Sequence, residues 1–220
     1  NCNEKQKRQQ TDILCRSSRF FLFSGYQLLK IYLEYKKGSD EYEKLAGEAA
    51  RILSEAEGGG LAQGAGTGAA GEQKETGPFP WEELDALMRQ ENEDYVGWIT
   101  IQDTQIDYPI VQFTDNDYYL SHTFEGTENA AGTLFVDSNI PEGMEGKNVI
   151  VYGHNMKNGS MFAGLKNYRE DEFYEGHRTF RVNTKTGFYT YEIFAVTVVS
   201  PDSDTYTLEF GDDAQFLDYV

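Results

Sequence analysis

A chain of 220 residues with 39% hydrophobic and 14% aromatic residues has room for one ordinary domain with a real core, plus appendages. Lys and Arg number 19 against 37 Asp and Glu, and the formal net charge of −18 repels polyanions, so no nucleic-acid partner is expected. Both cysteines, Cys2 and Cys15, sit at the very start, which leaves residues 16–220 without a disulfide, a thiolate metal site or a thiol nucleophile.

Residues 1–19 are polar and basic, with Lys5, Lys7, Arg8, Arg16 and Arg19. The run from Phe20 to Leu33 is apolar but interrupted by Gln27 and Lys30. A spanning helix needs about 20 largely apolar residues. The run therefore reads either as the outer end of a membrane anchor or as an amphipathic helix, and the anchor is the expectation carried forward. Tyr32 to Leu53 continues as a charged helical stalk, so residues 1–57 form an anchor-like and helical region. Residues 58–77 are Gly- and Ala-rich with no periodicity, the composition of a flexible linker. Gly66, Gly68 and Gly71 match a dinucleotide fingerprint in spacing, but no strand precedes them and the match is rejected.

From residue 78 to residue 220 the pattern is that of one domain. Pro80 to Met88 spaces apolar residues as a short amphipathic helix. Val96–Ile101 and Ile106–Val111 read as strands, the second confined by Pro109 to an edge or a bulge. Asn116 to Leu120 is one helical turn, and Gly132–Asp137 is a third strand. Val149 to Tyr152 is a short buried strand that Gly153 ends, which leaves His154 at its tip. Asn158-Gly159 is a turn, and Ser160 is the expected N-cap of a helix through Met161, Phe162, Leu165 and Tyr168. Strands follow over Thr179–Asn183 and Phe188–Val199, and Asp212-Asp213 caps a final helix. Short strands with sparse helices argue for a mainly β barrel or sandwich.

His154 has the chemistry to move protons near neutral pH, and a strand end between turns exposes it. A lone histidine serves equally well as a structural hydrogen-bonding residue, so the residues around it matter. Tyr152-Gly-His154-Asn-Met156 followed by Gly159-Ser-Met-Phe162 resembles the catalytic-histidine segment of class B sortases. Further blocks resemble that family in the same order: Tyr95–Ile99, Ile106–Gln112, Asp115–Leu120, Gly132–Asp137 and Tyr191–Ala195. The resemblance covers residues 81–220.

Class B sortases are cysteine transpeptidases of Gram-positive-type bacteria. The resemblance therefore implies a sortase-type β-barrel with short peripheral helices, preceded by an N-terminal helix. It implies an enzyme that cleaves a C-terminal sorting motif, often of the Asn-Pro-x-Thr type, and joins the surface protein to a peptidoglycan or pilin amine. It also implies a single N-terminal membrane anchor with the domain outside the cell at the wall. His154 falls at the catalytic histidine, and Asn116 and Leu120 fall at positions that contact the sorting peptide. No cofactor and no metal are expected. The family's nucleophilic Cys and its Arg belong to contexts downstream of Tyr191–Ala195 that do not occur here, so the barrel is expected without its last two strands and the chain by itself without activity. Such a barrel is expected to expose an apolar face and to be poorly stable. A non-catalytic peptide-binding protein is the alternative. His122 is read as a surface histidine beside the groove, His177 as solvated, and the acidic loop from Asp202 to Asp213 as solvated too.

Overall fold

The computed structural model describes residues 2–58 and 80–219. The expected linker at 58–77 thus lies almost wholly outside the described residues. The first helix, α1, runs Cys2–Gly58 and α2 runs Pro80–Glu91. Six strands follow: β1 Tyr95–Thr100, β2 Asp107–Val111, β3 Leu134–Val136, β4 Val151–Tyr152, β5 Thr179–Thr184 and β6 Gly187–Glu192. Short helices and 3-10 turns fill the connections, and a last helix, Asp213–Tyr219, begins where Asp212 Oδ1 accepts from Gln215 N at 2.8 Å.

The strands form one sheet in the order β4-β3-β2-β1-β5-β6. All neighbouring pairs are antiparallel except β2 and β3, which run parallel. This is the expected mainly β architecture with peripheral helices and an N-terminal helix. Its core holds Trp98, Ile99, Ile106, Ile110, Val111, Leu134, Phe135 and Val136, and the consecutive buried residues of β2 and β3 mean that both faces of the sheet are covered there. Pro109 pairs opposite Trp98 in β1, while the parallel pairing with β3 begins only at Ile110. At the proline, β2 has a paired strand on one side, which is why a residue without N–H is tolerated there.

Three expectations about elements are corrected. The strand expected over Phe188–Val199 stops at Glu192, because β5 begins at Thr179 and Ile193 N finds its last partner in the Arg178 carbonyl at 2.7 Å. Phe194, Val196 and Val198 beyond it are exposed, as are Phe188, Tyr189 and Tyr191 on the edge strand itself. Ser160 does not cap the next helix: its N–H and hydroxyl both donate to Asn158 Oδ1, and the 3-10 helix Phe162–Arg169 starts after Met161 instead. The charged stalk is no free stalk. Tyr42, Leu45, Ala49 and Ile52 of α1 recur at helical spacing and are buried in the same core as the sheet.

The membrane-anchor expectation is also overturned. Among the described residues no helix is long and apolar enough to cross a membrane. The apolar run of α1 is broken by Gln27 and Lys30 and flanked by charge, so no window of it reaches the necessary hydropathy.

Candidate functional site

The site is built where β3 and β4 meet the turn that follows β2. The pairings Phe135–Tyr152 and Val136–Val151 place the end of β4 beside the start of β3. Gly153 follows. A Cβ there would collide with the Leu134 side chain and come within 2.6 Å of Phe162, so glycine is required by lack of space and not by a left-handed backbone. His154 then leaves the sheet half-buried, with its carbonyl accepting from Phe162 N at 2.9 Å. That bond and the bridge between Asn155 and Met161 close the intervening loop on itself. Met161 holds the loop with a positive φ of 56°, fully buried, its N–H donating to the Tyr108 hydroxyl at 3.1 Å. Such backbone strain in a non-glycine residue costs about 1–3 kcal/mol and persists only where packing dictates it.

The imidazole of His154 points at the turn Tyr118–Leu120: Nε2 lies 2.8 Å from the Leu120 carbonyl oxygen. A carbonyl only accepts, so Nε2 carries the proton and, in the neutral ring, Nδ1 is left as the acceptor. Nδ1 has no hydrogen-bond partner among the described residues. The other two histidines are held the opposite way round. His122 Nδ1 meets the Tyr118 carbonyl at 2.8 Å with its ring stacked on Tyr118, and His177 Nδ1 meets the Phe173 carbonyl at 2.7 Å with its ring stacked on Phe173. His177 is not the solvated residue that the sequence leads one to expect. Its side chain is only 17% exposed and faces Asp103 Oδ2 at 3.5 Å, because the helix Asp171–Gly176 folds the ring back onto its own turn.

The structure brings Leu120 to His154 through the backbone, and it places Asn116 at the other end of β3. Leu120 presents an exposed side chain and gives its carbonyl to the imidazole. Asn116 Oδ1 accepts from Ser138 N at 2.8 Å. The segment 116–120 therefore runs alongside β3, tied to its far end by Asn116 and to its near end by Thr133 N, which donates to the Tyr119 carbonyl at 2.9 Å.

Two residues that the sequence places in strands and not in the site, Tyr152 and Asp137, adjoin this surface. Tyr152 donates its hydroxyl to Asp137 Oδ2 at 2.7 Å, and Asn139 donates to Asp137 Oδ1 from both its backbone and its side chain. Burial opposes ionisation of Asp137, but these hydrogen bonds outweigh it and hold the carboxyl below its ordinary range. Burial first, then the neighbouring carboxylate, pushes the Tyr152 hydroxyl up to about 12. The available signal is a tyrosine closing a strand just before His154, since a half-buried tyrosine hydroxyl needs a hydrogen-bond partner. A separate cleft of about 330 Å³ lies between α1 and the segments around Tyr108 and Asn158, and His154, Asn116 and Leu120 do not line it.

With the geometry in place, the relatives are informative. The sortase domain family model matches residues 99–216. Sortase B of Listeria monocytogenes is 38% identical over 200 residues, covering 91% of this chain and 74% of that protein. This chain belongs to the class B sortases. The sortase B structure from Bacillus anthracis in complex with AAEK1 covers 86% of this chain and 79% of that one, at 31% identity and a TM-score of 0.63. The Staphylococcus aureus sortase B–substrate complex has a TM-score of 0.70 over 85% of this chain and 77% of that one; at 24% identity it speaks for the fold alone. Within the sortase frame, the element that carries His154 is the end of β4, and the element facing it is the turn Tyr118–Leu120.

Proposed function

We propose that this chain forms the sorting-peptide groove of a class B sortase and supplies its acid–base histidine, His154. The observation that carries the reading is the contact of His154 Nε2 with the Leu120 carbonyl at 2.8 Å, which leaves Nδ1 as the ring's free acceptor among the described residues. In transpeptidation a thiolate attacks the peptide carbonyl and the leaving amine needs a proton. Imidazolium Nδ1–H gives it, and the neutral Nδ1 then takes a proton from the attacking amine as the thioester is resolved. The acceptor is an amine of peptidoglycan or of a pilin. Asn116 and Leu120 flank the groove, Leu120 by its exposed side chain and Asn116 as the anchor of the turn.

One fact favours a second reading for the chain by itself. Residues 16–220 hold no cysteine, so this stretch binds a sorting peptide without forming a thioester on it. The test is a titration of ¹⁵N-labelled protein with an Asn-Pro-x-Thr peptide, paired with intact mass after incubation. The reading expects shifts at Leu120 and His154 and no covalent adduct. A titration that leaves both residues unmoved overturns the groove. An adduct at Cys2 or Cys15 overturns the assignment of those residues outside the chemistry.

A further inference from the structure

The contact that orients His154 is itself held from a distance. Leu120 lies in a single 3-10 turn, which is too short to fix a carbonyl by its own hydrogen bonds. What fixes it is the loop 121–133. Gly132, at φ 59°, packs so closely beneath Tyr119 and Leu120 that a Cβ would collide with the Tyr119 carbonyl and come within 2.9 Å of that of Leu120. Thr133 N donates to the Tyr119 carbonyl at 2.9 Å, and Thr133 Oγ1 donates to the His122 carbonyl at 2.9 Å. Gly132 and Thr133 thus hold the turn from below.

Those two residues are gripped in turn by α1. The Tyr42 hydroxyl donates to the Gly132 carbonyl at 2.5 Å and lies 3.0 Å from Thr133 Oγ1, in a buried setting. Burial pushes the Tyr42 hydroxyl's ionisation up, so it stays a donor across the working pH range. Three more ties bind the same loop to the same helix. Asn129 Nδ2 donates to the Glu34 carbonyl at 2.7 Å, Ala130 N to Glu34 Oε1 at 3.0 Å, and Glu125 N to Glu41 Oε1 at 2.9 Å. Gly38 makes room for the first of these, because a Cβ there would come within 3.0 Å of Asn129 Nδ2. A helix that merely tethered the domain would not need to spend a glycine, a buried tyrosine and a buried glutamate on one loop. The sheet gains its apolar cover from Leu45, Ala49 and Ile52, so the polar contacts are additional to packing.

We infer that α1 is a positioning element for His154: Tyr42, acting through Gly132 and Thr133, holds the Leu120 carbonyl where it selects the Nε2–H tautomer and leaves Nδ1 free for the amine. The inference rests on the proposed role of His154 only for its consequence in catalysis. The geometric claim stands apart from it.

The test reads the tautomer directly. Long-range ¹H–¹⁵N correlation of the imidazoles, recorded on the whole chain well above the ordinary histidine range of about 6.5, distinguishes the protonated nitrogen in each ring. His122 and His177 serve as internal references, since the Nδ1 of each lies within hydrogen-bond distance of a carbonyl, which favours its Nδ1–H form. The expected result is His154 as Nε2–H beyond the preference of a free imidazole. In Tyr42→Phe, or in Asn129→Ala, which cuts a separate tie, the Nε2–H to Nδ1–H ratio of His154 moves about fivefold toward the free value, the size of a hydrogen bond worth roughly 1 kcal/mol. His177 stays unchanged.

Nδ1–H at His154 in the parent overturns the proposal, as does an unmoved ratio in both folded variants. Loss of folding in both overturns it too, because α1 would then be a requirement of the fold rather than of the histidine. The outcome is independent of peptide binding. A chain that shows this tautomer pattern and binds no sorting peptide keeps the positioning claim and loses the sortase groove, while the reverse pattern does the opposite.

Discussion

The Tyr152 hydroxyl donates to Asp137 Oδ2 at 2.7 Å, and this bond ties the strand that precedes His154 to the strand end beside which Asn116 accepts from Ser138 N. The Asp137 carboxylate therefore links β4 to the end of β3. Tyr152→Phe keeps the ring against Phe135 but leaves a buried carboxylate short of a donor. A hydrogen bond to a charged group is worth about 1.5–3 kcal/mol. The expected loss of stability is of that size in chemical denaturation at neutral pH.

The same carboxylate sets a pH dependence. Asp137 ionises more readily folded than unfolded, so its contribution to stability is fully present above the ordinary carboxylate range and is lost as pH falls through its depressed folded value. Denaturation series at pH 7 and at acid pH should show the parent losing more stability on acidification than Tyr152→Phe does. Equal losses would mean that Asp137 is not the group responsible.

Glu41 carries the opposite sign. Burial raises its carboxyl above the usual range, against the pull of the hydrogen bond from Glu125 N. Its contribution is therefore present below the unfolded value and is lost as pH rises through the folded one. Glu41→Gln retains an oxygen acceptor without the charge. The variant should melt higher than the parent at pH 7, and the gap should close on acidification.

Gly153→Ala tests the packing at the base of His154. The new methyl meets Leu134 and Phe162, both tightly placed at the junction of β3 and β4. Overpacking of this kind costs about 1–3 kcal/mol. The prediction is a matching drop in unfolding free energy together with movement of the His154 ring resonances. An unchanged protein would show that the junction has slack.

Much of this was legible in the sequence, and the reasons differ by element. Strands β1 and β2 announce themselves by Val96, Trp98 and Ile99 and by Tyr108, Ile110 and Val111, short runs of β-branched and aromatic residues that the fold buries almost throughout. The tip position of His154 followed from Val151, Tyr152 and Gly153, and the structure puts it there. The burial of α1 did not show, because Tyr42, Leu45, Ala49 and Ile52 are set among charged residues and their stripe is a narrow one. The end of β6 did not show either. Phe194, Val196 and Val198 have strand-forming side chains, but pairing requires a neighbour and β5 supplies none beyond its first residues. The roles of Tyr152 and Gly132 depend on partners far away in sequence, Asp137 for one and the 119–120 backbone for the other, and no local pattern encodes those.

The assignment of His154 as the acid–base residue is tested most directly by peptide cleavage in a form of the protein that carries a thiol nucleophile. His154→Ala is compared there with His122→Ala and His177→Ala, and circular dichroism confirms folding. General acid–base assistance is worth about 10²–10⁴-fold, and the account predicts a loss of at least that order for His154→Ala. His122 and His177 are spent on the carbonyls of Tyr118 and Phe173. Their replacement should change the rate by less than about tenfold, or roughly 1.4 kcal/mol of barrier. Near-parent turnover in a folded His154→Ala protein would contradict the account.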